Sequence, residues 1–476
     1  MNTQQQPPKI AEKLLCWFLK PDMAEEVLGD LDEQYFAMLQ KRSAIAAKRY
    51  YWFQVFNYLR PFAIKKSRFN NSIQITMFKN NIKIAWRTLL KQKMYSTIKI
   101  GGFAIGIAAS ILITLFIAHE LSYDQHFAQK DRIYRVIKQE VYNGEMSSGV
   151  WFPAPMARVL VEDFPEIEKA GRFNAGALFG AGSNEVRRAD KTVNSHEEKL
   201  VYADQSLFDI LQPEFLHGDP TTALTSPNTI LITSSKAEKY FQDENPVGKI
   251  LIINDNVERP YTIGGVIADF PENTHIDYDM FITMTGREFW RGEQNFWGAQ
   301  NYPTYVLLKP DTDVKELEKK LHSIAVNYVL PWLIRIGEVG AEEEVKNINY
   351  KLQPITDIHL FSGDIDDSSI NSDVKFVWLF GIIAVFIMVI ASINFINLST
   401  AKSANRAKEV GLRKVVGSYR INLVRQFLTE SLLYSFLSFM VGLTLAILLL
   451  PYFNNLADKT LVMPFSEWWF FPSLLA

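Results

Sequence analysis

The sequence has few cysteines and almost no net charge, and each shortage excludes a class of protein. Cys16 is the only cysteine among 476 residues, so neither a disulfide framework nor a cysteine-based zinc site is expected. Fifty basic residues against 52 acidic ones give a formal net charge of −2, which argues against bulk binding to nucleic acid. The sequence also lacks a GxxxxGK[ST] loop, which cradles ATP phosphates. We therefore do not expect an enzyme.

Motifs for metal-dependent or nucleophilic catalysis are missing as well. The run HELSY at 119–123 begins like the zinc-protease motif HExxH but lacks its second histidine. His119, Asp124 and His126 are close enough in sequence to be considered as metal ligands, although polar residues that follow a membrane span are far commoner. No serine–histidine–aspartate context supports hydrolysis. We predict no catalytic residue, no metal and no cofactor in this chain.

Long uncharged stretches are the most informative feature that is present. Each is bounded by charged residues and is long enough, as a helix, to cross about 30 Å of hydrocarbon. We predict membrane-spanning helices at residues 100–119, 376–401 and 431–457. The first begins too far into the chain to be a signal peptide.

The charges beside these stretches predict their orientation. Segment 78–99, an expected amphipathic helix leading into the first span, has basic residues and no acidic one. Segment 402–430 has bases up to Arg425, with Glu409 as the one acid among them. Both flanks should therefore be cytosolic. An odd number of crossings then places residues 120–375 outside.

The two ends of the chain have separate expectations. Residues 1–77 are predicted to form a small cytosolic helical domain, whose aromatic segment 48–60 is either a bundle core or a surface lying against lipid headgroups. Residues 458–476 are predicted to be an outside loop and the start of a fourth span. Too few residues follow Trp468 to cross a bilayer, so we expect an interfacial anchor or, preferably, a sequence cut short.

The outside segment 120–375 is predicted to be a mixed α/β domain with a real core, divided between two subdomains. Apolar residues at helical spacing predict a helix at 314–329. Runs of β-branched and aromatic residues predict strands at 229–233, 249–253, 261–267 and 304–308. The expected fold class is an α-helical membrane protein with a large mixed α/β extracytoplasmic domain and a small N-terminal cytosolic helical domain.

Two of the predicted spans carry small residues at four-residue spacing. Such faces let helices approach closely in lipid. We predict helix-packing contacts at Gly102, Gly106, Ser110, Ser438 and Gly442.

The loop between the second and third spans carries the most specific motif. Residues 408–418 read KEVGLRKVVGS and are followed by QFLTES at 426–431. We predict a short helix bracketed by glycines, which allow close approach and a turn, that docks in a groove of a cytosolic partner. A basic loop attracted to anionic lipid explains the bases but not Glu409 or the glycine spacing. The predicted partner-binding residues are Lys408, Glu409, Gly411, Leu412, Arg413, Lys414 and Gly417.

This motif resembles the coupling region of FtsX-type permeases of ABC transporters, where a pattern like KEVGLRKxxGS precedes QFLxES. The order of one span, a large outside domain and further spans is similar to that of MacB-like permeases. Similar phrases are LSYD at 121–124, NPVGK at 245–249 and DIHL at 357–360. The N-terminal helical region resembles, less closely, a permease prefix domain.

The resemblance implies a multi-pass permease subunit in the bacterial inner membrane, with its N-terminus cytosolic and residues 120–375 periplasmic. ATP and Mg²⁺ would belong to a separate ATPase subunit, whose closure drives extrusion of a hydrophobic, peptide-like or lipid-linked substrate by mechanotransmission. The implied partners are that ATPase, a second permease unit in a homodimer or pseudo-dimer, and membrane lipid. A periplasmic adaptor stays an open question, and nucleic acid is not expected.

Two alternatives stay open. One is a mechanotransmitter that regulates an extracytoplasmic enzyme without transport. The other is a membrane-anchored sensor whose N-terminal domain signals. The substrate, the identity of the ATPase and the role of the prefix domain do not follow from the sequence.

Overall fold

The computed structural model describes residues 6–19, 21–41, 43–58, 71–142, 145–242, 244–367, 371–416, 419–465, 467 and 470. The chain divides into two compact units, residues 1–96 with 408–434 and residues 97–407 with 435–476. Gly417 and Trp468, which the sequence singles out, lie outside the described residues.

Three N-terminal helices form a small bundle: α1 (Lys9–Phe18), α2 (Pro21–Lys41) and α3 (Ala44–Asn57). Helix α3 contributes Ala47, Tyr51 and Val55, which are spaced four residues apart and buried in the core. The Tyr51 hydroxyl donates to Asp32 on α2 (3.2 Å). The described part of the aromatic segment 48–60 therefore supplies bundle core on one face, and its opposite face is exposed.

Two further helices follow, α4 (Asn71–Lys91) and α5 (Lys93–Leu121), and they meet at Gln92. The single amphipathic helix predicted at 78–99 is therefore wrong in extent, because residues 93–99 begin the helix of the first predicted span. The sequence around Gln92 contains no glycine or proline, so this boundary has no compositional signal.

A mixed α/β domain follows α5. In the described residues its strands are β1 (Ile133–Tyr142), β2 (Glu145–Gly149), β3 (Ile167–Asn174), β4 (Gly182–Arg188), β5 (Ser195–Ala203), β6 (Phe215–Gly218), β7 (Thr229–Thr233), β8 (Ile250–Ile253), β9 (Tyr261–Ile267), β10 (Met280–Thr283), β11 (Thr304–Leu308) and β12 (Asn349–Pro354). Its helices are α6 (Met156–Asp163), α7 (Gln205–Leu211), α8 (Ser234–Phe241), α9 (Val314–Ile324), α10 (Leu330–Ile336) and α11 (Ala341–Lys346). The four predicted strands are confirmed as β7, β8, β9 and β11, with β8 beginning one residue late. The predicted helix is α9, extended by a π-helical turn at Ala325–Val329.

Six strands close into a small barrel, in the order β5, β10, β7, β9, β8, β4 and back to β5. Because successive side chains of a strand point to opposite faces of the sheet, the same strands contribute residues to two hydrophobic cores. In β7, Ile230 and Ile232 pack in one core and Leu231 in the other, and β10 repeats this with Met280 and Phe281. The barrel is therefore filled by side chains.

Strands β3, β11, β1 and β12 form an open sheet in that order, with β2 paired to β1, and β6 pairs with β9 of the barrel. Helix α9 packs beside this sheet through Leu317, Leu321 and Ile324, and Asp313 caps its N-terminus by accepting from the backbone of Lys315 (3.0 Å). Strand β3 pairs with both β11 and β5. The division into two subdomains stays a prediction, and the eight-residue strand β3 joins the open sheet to the barrel.

Two long helices complete the described chain, α12 (Val374–Val415) and α13 (Arg420–Ala457). With α5, they are the helices in the described residues that are long and apolar enough to cross a membrane. Each contains one predicted span.

The short helix predicted between Gly411 and Gly417 is wrong, because α12 continues through Gly411 to Val415. A glycine inside a helix costs about 1 kcal/mol relative to alanine. The neighbouring Leu412, Arg413 and Lys414 are strong helix formers, and they offset that cost.

Candidate functional site

The predicted partner-binding residues lie at the C-terminal end of α12. Gly411 is open, since a Cβ built on it meets no atom within 4 Å. Leu412, Val415 and Val416 expose 69%, 87% and 85% of their surface. This end of the helix therefore presents apolar side chains beside a glycine. The side chains of Lys408, Glu409, Arg413 and Lys414 lie outside the described residues, as does Gly417.

The small residues of the first predicted span face α12. A Cβ on Gly106 would come within 2.6 Å of the Ala391 Cβ, and one on Gly102 within 3.1 Å of the Asn394 side-chain nitrogen. The Ser110 hydroxyl donates to the Ala384 carbonyl (3.4 Å). These contacts bring α5 and α12 to backbone-limited distance.

The small residues of α13 lie on the other side of α5. A Cβ on Gly442 would meet the Ala104 carbonyl oxygen and the Ile107 Cβ, each at 2.9 Å. Ser438, one turn earlier, is fully buried. Helix α5 is thus packed between α12 and α13.

A buried polar cluster forms where α5 enters the α/β domain. His359 Nε2 donates to Glu120 (2.9 Å), whose other carboxylate oxygen is 3.2 Å from the Lys459 ammonium. Lys459 also donates to the Tyr123 hydroxyl (2.9 Å), and the Tyr123 and His359 rings stack with centroids 3.4 Å apart. The Glu120 and His359 side chains are each only 2% exposed. We call Glu120, Tyr123, His359 and Lys459 the joint cluster.

The joint cluster ties together one end of each candidate span. Glu120 is in the last turn of α5, and Lys459 follows the end of α13 at Ala457. The His359 carbonyl accepts from the Ser372 backbone (2.8 Å), immediately before α12 begins at Val374. A displacement of any of these helix ends therefore acts on the same four side chains.

The charges within the joint cluster support one another. Burial disfavours the ammonium form of Lys459, but its hydrogen bond to Tyr123 and the nearby Glu120 carboxylate outweigh burial and raise the pKa of Lys459 above its ordinary value. Lys459 therefore remains charged at neutral pH. Its charge compensates the buried carboxylate, which would otherwise be costly to hold in place.

A second buried polar contact involves Asp124, the residue that follows Tyr123 of the joint cluster. Asp124 is 2.9 Å from His275 Nδ1 and accepts from the Thr274 hydroxyl (2.8 Å), and the opposite His275 nitrogen is 2.8 Å from the Tyr305 hydroxyl. Burial alone would raise the pKa of Asp124, but His275 and these hydrogen bonds hold it below the ordinary value. The backbone of Asp124 also donates to the Asn273 carbonyl (2.9 Å), which anchors α5 to the loop before β10.

The sequence analysis missed both the joint cluster and the Asp124–His275 pair. It offered Asp124 with His119 and His126 as metal ligands, whereas Asp124 pairs with His275. No group of three metal-ligating side chains is arranged around an ion position among the described residues. The phrases LSYD and DIHL do contain Tyr123, Asp124 and His359, but nothing local indicates that Tyr123 stacks on His359 or that Asp124 pairs with His275.

These features define a class of protein. The described residues contain three candidate membrane spans and a large α/β domain inserted between the first two. This arrangement is typical of a membrane protein that carries a folded domain between its helices. Residues 96–324 match the MacB-like periplasmic core domain, and residues 381–476 match the FtsX-like permease C-terminal domain. The chain therefore contains a MacB-like periplasmic core domain and an FtsX-like permease domain, and the resemblance seen in these two parts of the sequence is confirmed.

Curated relatives carry the name macrolide export ATP-binding/permease protein MacB. The protein from Aggregatibacter actinomycetemcomitans is 24% identical over 226 residues, which cover 46% of this chain and 30% of the relative. The protein from Campylobacter jejuni is 20% identical over 400 residues, covering 80% of this chain and 56% of the relative. The chain thus spans less than two thirds of these relatives.

Two solved structures are also similar. A domain of a permease protein from Porphyromonas gingivalis aligns with a TM-score of 0.40 and 23% identity, covering 48% of this chain and 91% of that domain. The periplasmic region of MacB from Actinobacillus actinomycetemcomitans aligns with a TM-score of 0.30 and 14% identity, covering 47% of this chain and 90% of that region.

Proposed function

We propose that this chain is the membrane subunit of a MacB- or FtsX-type ABC transporter. In this proposal a separate ATPase subunit binds ATP and Mg²⁺, and its movement is transmitted through α12 to the α/β domain. The movement drives extrusion of a hydrophobic, peptide-like or lipid-linked substrate. The chain would act with a second permease unit in the bacterial inner membrane, with its N-terminus cytosolic and residues 120–375 periplasmic.

The joint cluster is the observation that carries this proposal. Mechanotransmission requires a stiff connection between the moving helices and the domain that does the work. Glu120 and His359 are buried, Lys459 is half-buried, and the three compensate one another's charge at the ends of α5, α12 and α13. A connection of this kind transmits movement because packed and hydrogen-bonded groups do not deform continuously.

The open end of α12 supports the other half of the proposal. Its exposed Leu412, Val415 and Val416 give a partner an apolar surface, and Gly411 lets the backbone of that partner come close. The basic residues around them favour the cytosolic side of the membrane. The chain has no phosphate-binding loop of its own, so the proposal assigns ATP hydrolysis to the partner.

The proposal is tested with Gly411→Leu in the full chain, reconstituted with a candidate ABC ATPase subunit. Leucine is a better helix former than glycine and has free space at this position, so α12 itself should be intact. We expect the variant to bind the ATPase at least about tenfold more weakly, since a bulky side chain would hold a partner off the helix.

Gly29→Leu is the matched control. Gly29 is also a helical glycine with no atom within 4 Å of a built Cβ, but it lies on α2. Wild-type binding by Gly411→Leu would overturn the assignment of this segment. If neither form of the chain binds an ATPase, the coupling role fails and the sensor alternative gains support.

A further inference from the structure

Helix α3 is apolar on two opposite faces, and the N-terminal bundle covers only one of them. Ala47, Tyr51 and Val55 are buried in the bundle core. On the other face, Ile45, Phe53 and Phe56 expose 73%, 62% and 59% of their surface. Arg49 is exposed between them at the same helical spacing. We call Ile45, Arg49, Phe53 and Phe56 the outer stripe.

Helix α1 repeats this arrangement. Ala11 and Leu15 are in the core, while Ile10 and Trp17, seven residues apart and so on one face, are 72% and 80% exposed. Large apolar side chains at such exposure are unfavourable in water, and several on one small bundle indicate a surface that another phase or molecule covers.

The charges of the bundle are segregated between its helices. Helix α3 has Lys48 and Arg49 and no acid, and α1 has Lys9 and Lys13 against Glu12. The other acids lie on α2: Asp22, Glu25, Glu26, Asp30, Asp32 and Glu33. The most exposed aromatic residues of the bundle, Trp17, Phe53 and Phe56, are therefore on the basic helices, whereas the acidic helix exposes Phe36 at 50%.

We propose that the outer stripe binds the anionic headgroup layer of the membrane that α5, α12 and α13 cross. Aromatic residues prefer the interface between headgroups and hydrocarbon, and arginine and lysine beside them are attracted to anionic lipid. The chain continues from the bundle into α4 and α5, so the bundle is tethered near the membrane. The effective concentration of lipid at the outer stripe is therefore high. This inference depends on the membrane spans and is independent of the proposed ATPase coupling.

The test uses the full chain in nanodiscs, with a nitroxide at a single cysteine in a Cys16→Ser background. The label is placed at Phe53→Cys on the outer stripe or, as a control, at Glu26→Cys on the acidic helix. Both positions are exposed, so neither substitution removes core packing. Collision rates with oxygen, which concentrates in lipid, and with a water-soluble nickel chelate give the depth of each label.

In discs containing phosphatidylglycerol we expect a ratio of oxygen to nickel collisions that is several-fold higher at position 53 than at position 26. Arg49→Glu, or discs of phosphatidylcholine alone, should reduce that difference. Equal ratios at the two positions would overturn the proposal. Protection of position 53 from both reagents would also overturn it, because it indicates a protein partner or a second copy. An undiminished difference in phosphatidylcholine alone would overturn the recognition of anionic headgroups.

Discussion

Glu120 is a carboxylate at the border between a candidate membrane span and a folded domain, and it is almost completely buried. Removing such a charge from water costs several kcal/mol unless partners compensate it. His359 and Lys459 each contact one of its oxygens, and Tyr123 contacts both partners. Each side chain of the joint cluster therefore depends on the others.

This dependence predicts strong energetic coupling between Glu120 and His359. Glu120→Gln, His359→Gln and the double variant should give an interaction free energy of about 1–3 kcal/mol in thermal unfolding of the detergent-solubilised chain. The exposed pair Arg158–Glu162 (3.0 Å) is the control, and its cycle should give less than about 1 kcal/mol. Additive effects of Glu120→Gln and His359→Gln would show that the joint cluster is not a unit.

The Asp124–His275 pair predicts a pH-dependent stability. Since the pKa of native Asp124 is below its ordinary value of about 3.9, its contribution is fully present above that value and is lost as the pH falls through the native pKa. Asp124→Asn should therefore cost about 2 kcal/mol at pH 7 and progressively less below pH 4. Melting temperatures measured between pH 3 and 7 check this. A constant difference across that range would contradict it, and Asp190→Asn, at an exposed position, should have little effect.

At the scale of the elements, the helices are held by close contacts at a few glycines. Gly106 lies against Ala391 so closely that a Cβ would sit 2.6 Å from its neighbour, whereas a Cβ on Gly101 meets nothing within 4 Å. The two positions are on the same helix, five residues apart. Comparing the same substitution at Gly106 and Gly101 therefore separates the effect of helix packing from the effect of helix propensity.

Gly106→Ala should therefore destabilise the contact between α5 and α12 by about 1–3 kcal/mol through overpacking. Gly101→Ala should be neutral or stabilise the chain by up to about 1 kcal/mol, because alanine is the better helix former. Thermal unfolding in detergent compares the two variants. Equal effects would mean that Gly106 does not set the distance between these helices.

The elements differ in how far the sequence predicts them. Strands such as β7 and β9 have local signals, β-branched runs between turn residues, and their predicted bounds are correct. The separate short helix at Gly411 is predicted wrongly, because a glycine indicates a boundary although the strong helix formers around it let α12 continue. The joint cluster is not predictable from local pattern, since Glu120, His359 and Lys459 meet only after the α/β domain has folded.

At the scale of the whole molecule, the joint cluster and the end of α12 have separable roles in the proposed function. The joint cluster lies in the unit that contains the α/β domain, while the predicted partner-binding residues from Lys408 onward belong to the other unit. A defect in the partner surface should weaken binding of the ATPase. A defect in the joint cluster should leave binding intact and interrupt the transmission of movement to the α/β domain.

His359→Gln in the reconstituted complex tests this separation. The variant should bind the ATPase subunit as the wild type does, because its substitution is confined to the joint cluster. ATP turnover coupled to the permease should fall about five- to tenfold, since an allosteric connection of this kind contributes about 1–3 kcal/mol. Arg158→Gln, an exposed change on the same α/β domain, should alter neither quantity. Loss of binding in His359→Gln would indicate a general folding defect, and full turnover with normal binding would show that movement reaches the α/β domain by a route other than the joint cluster.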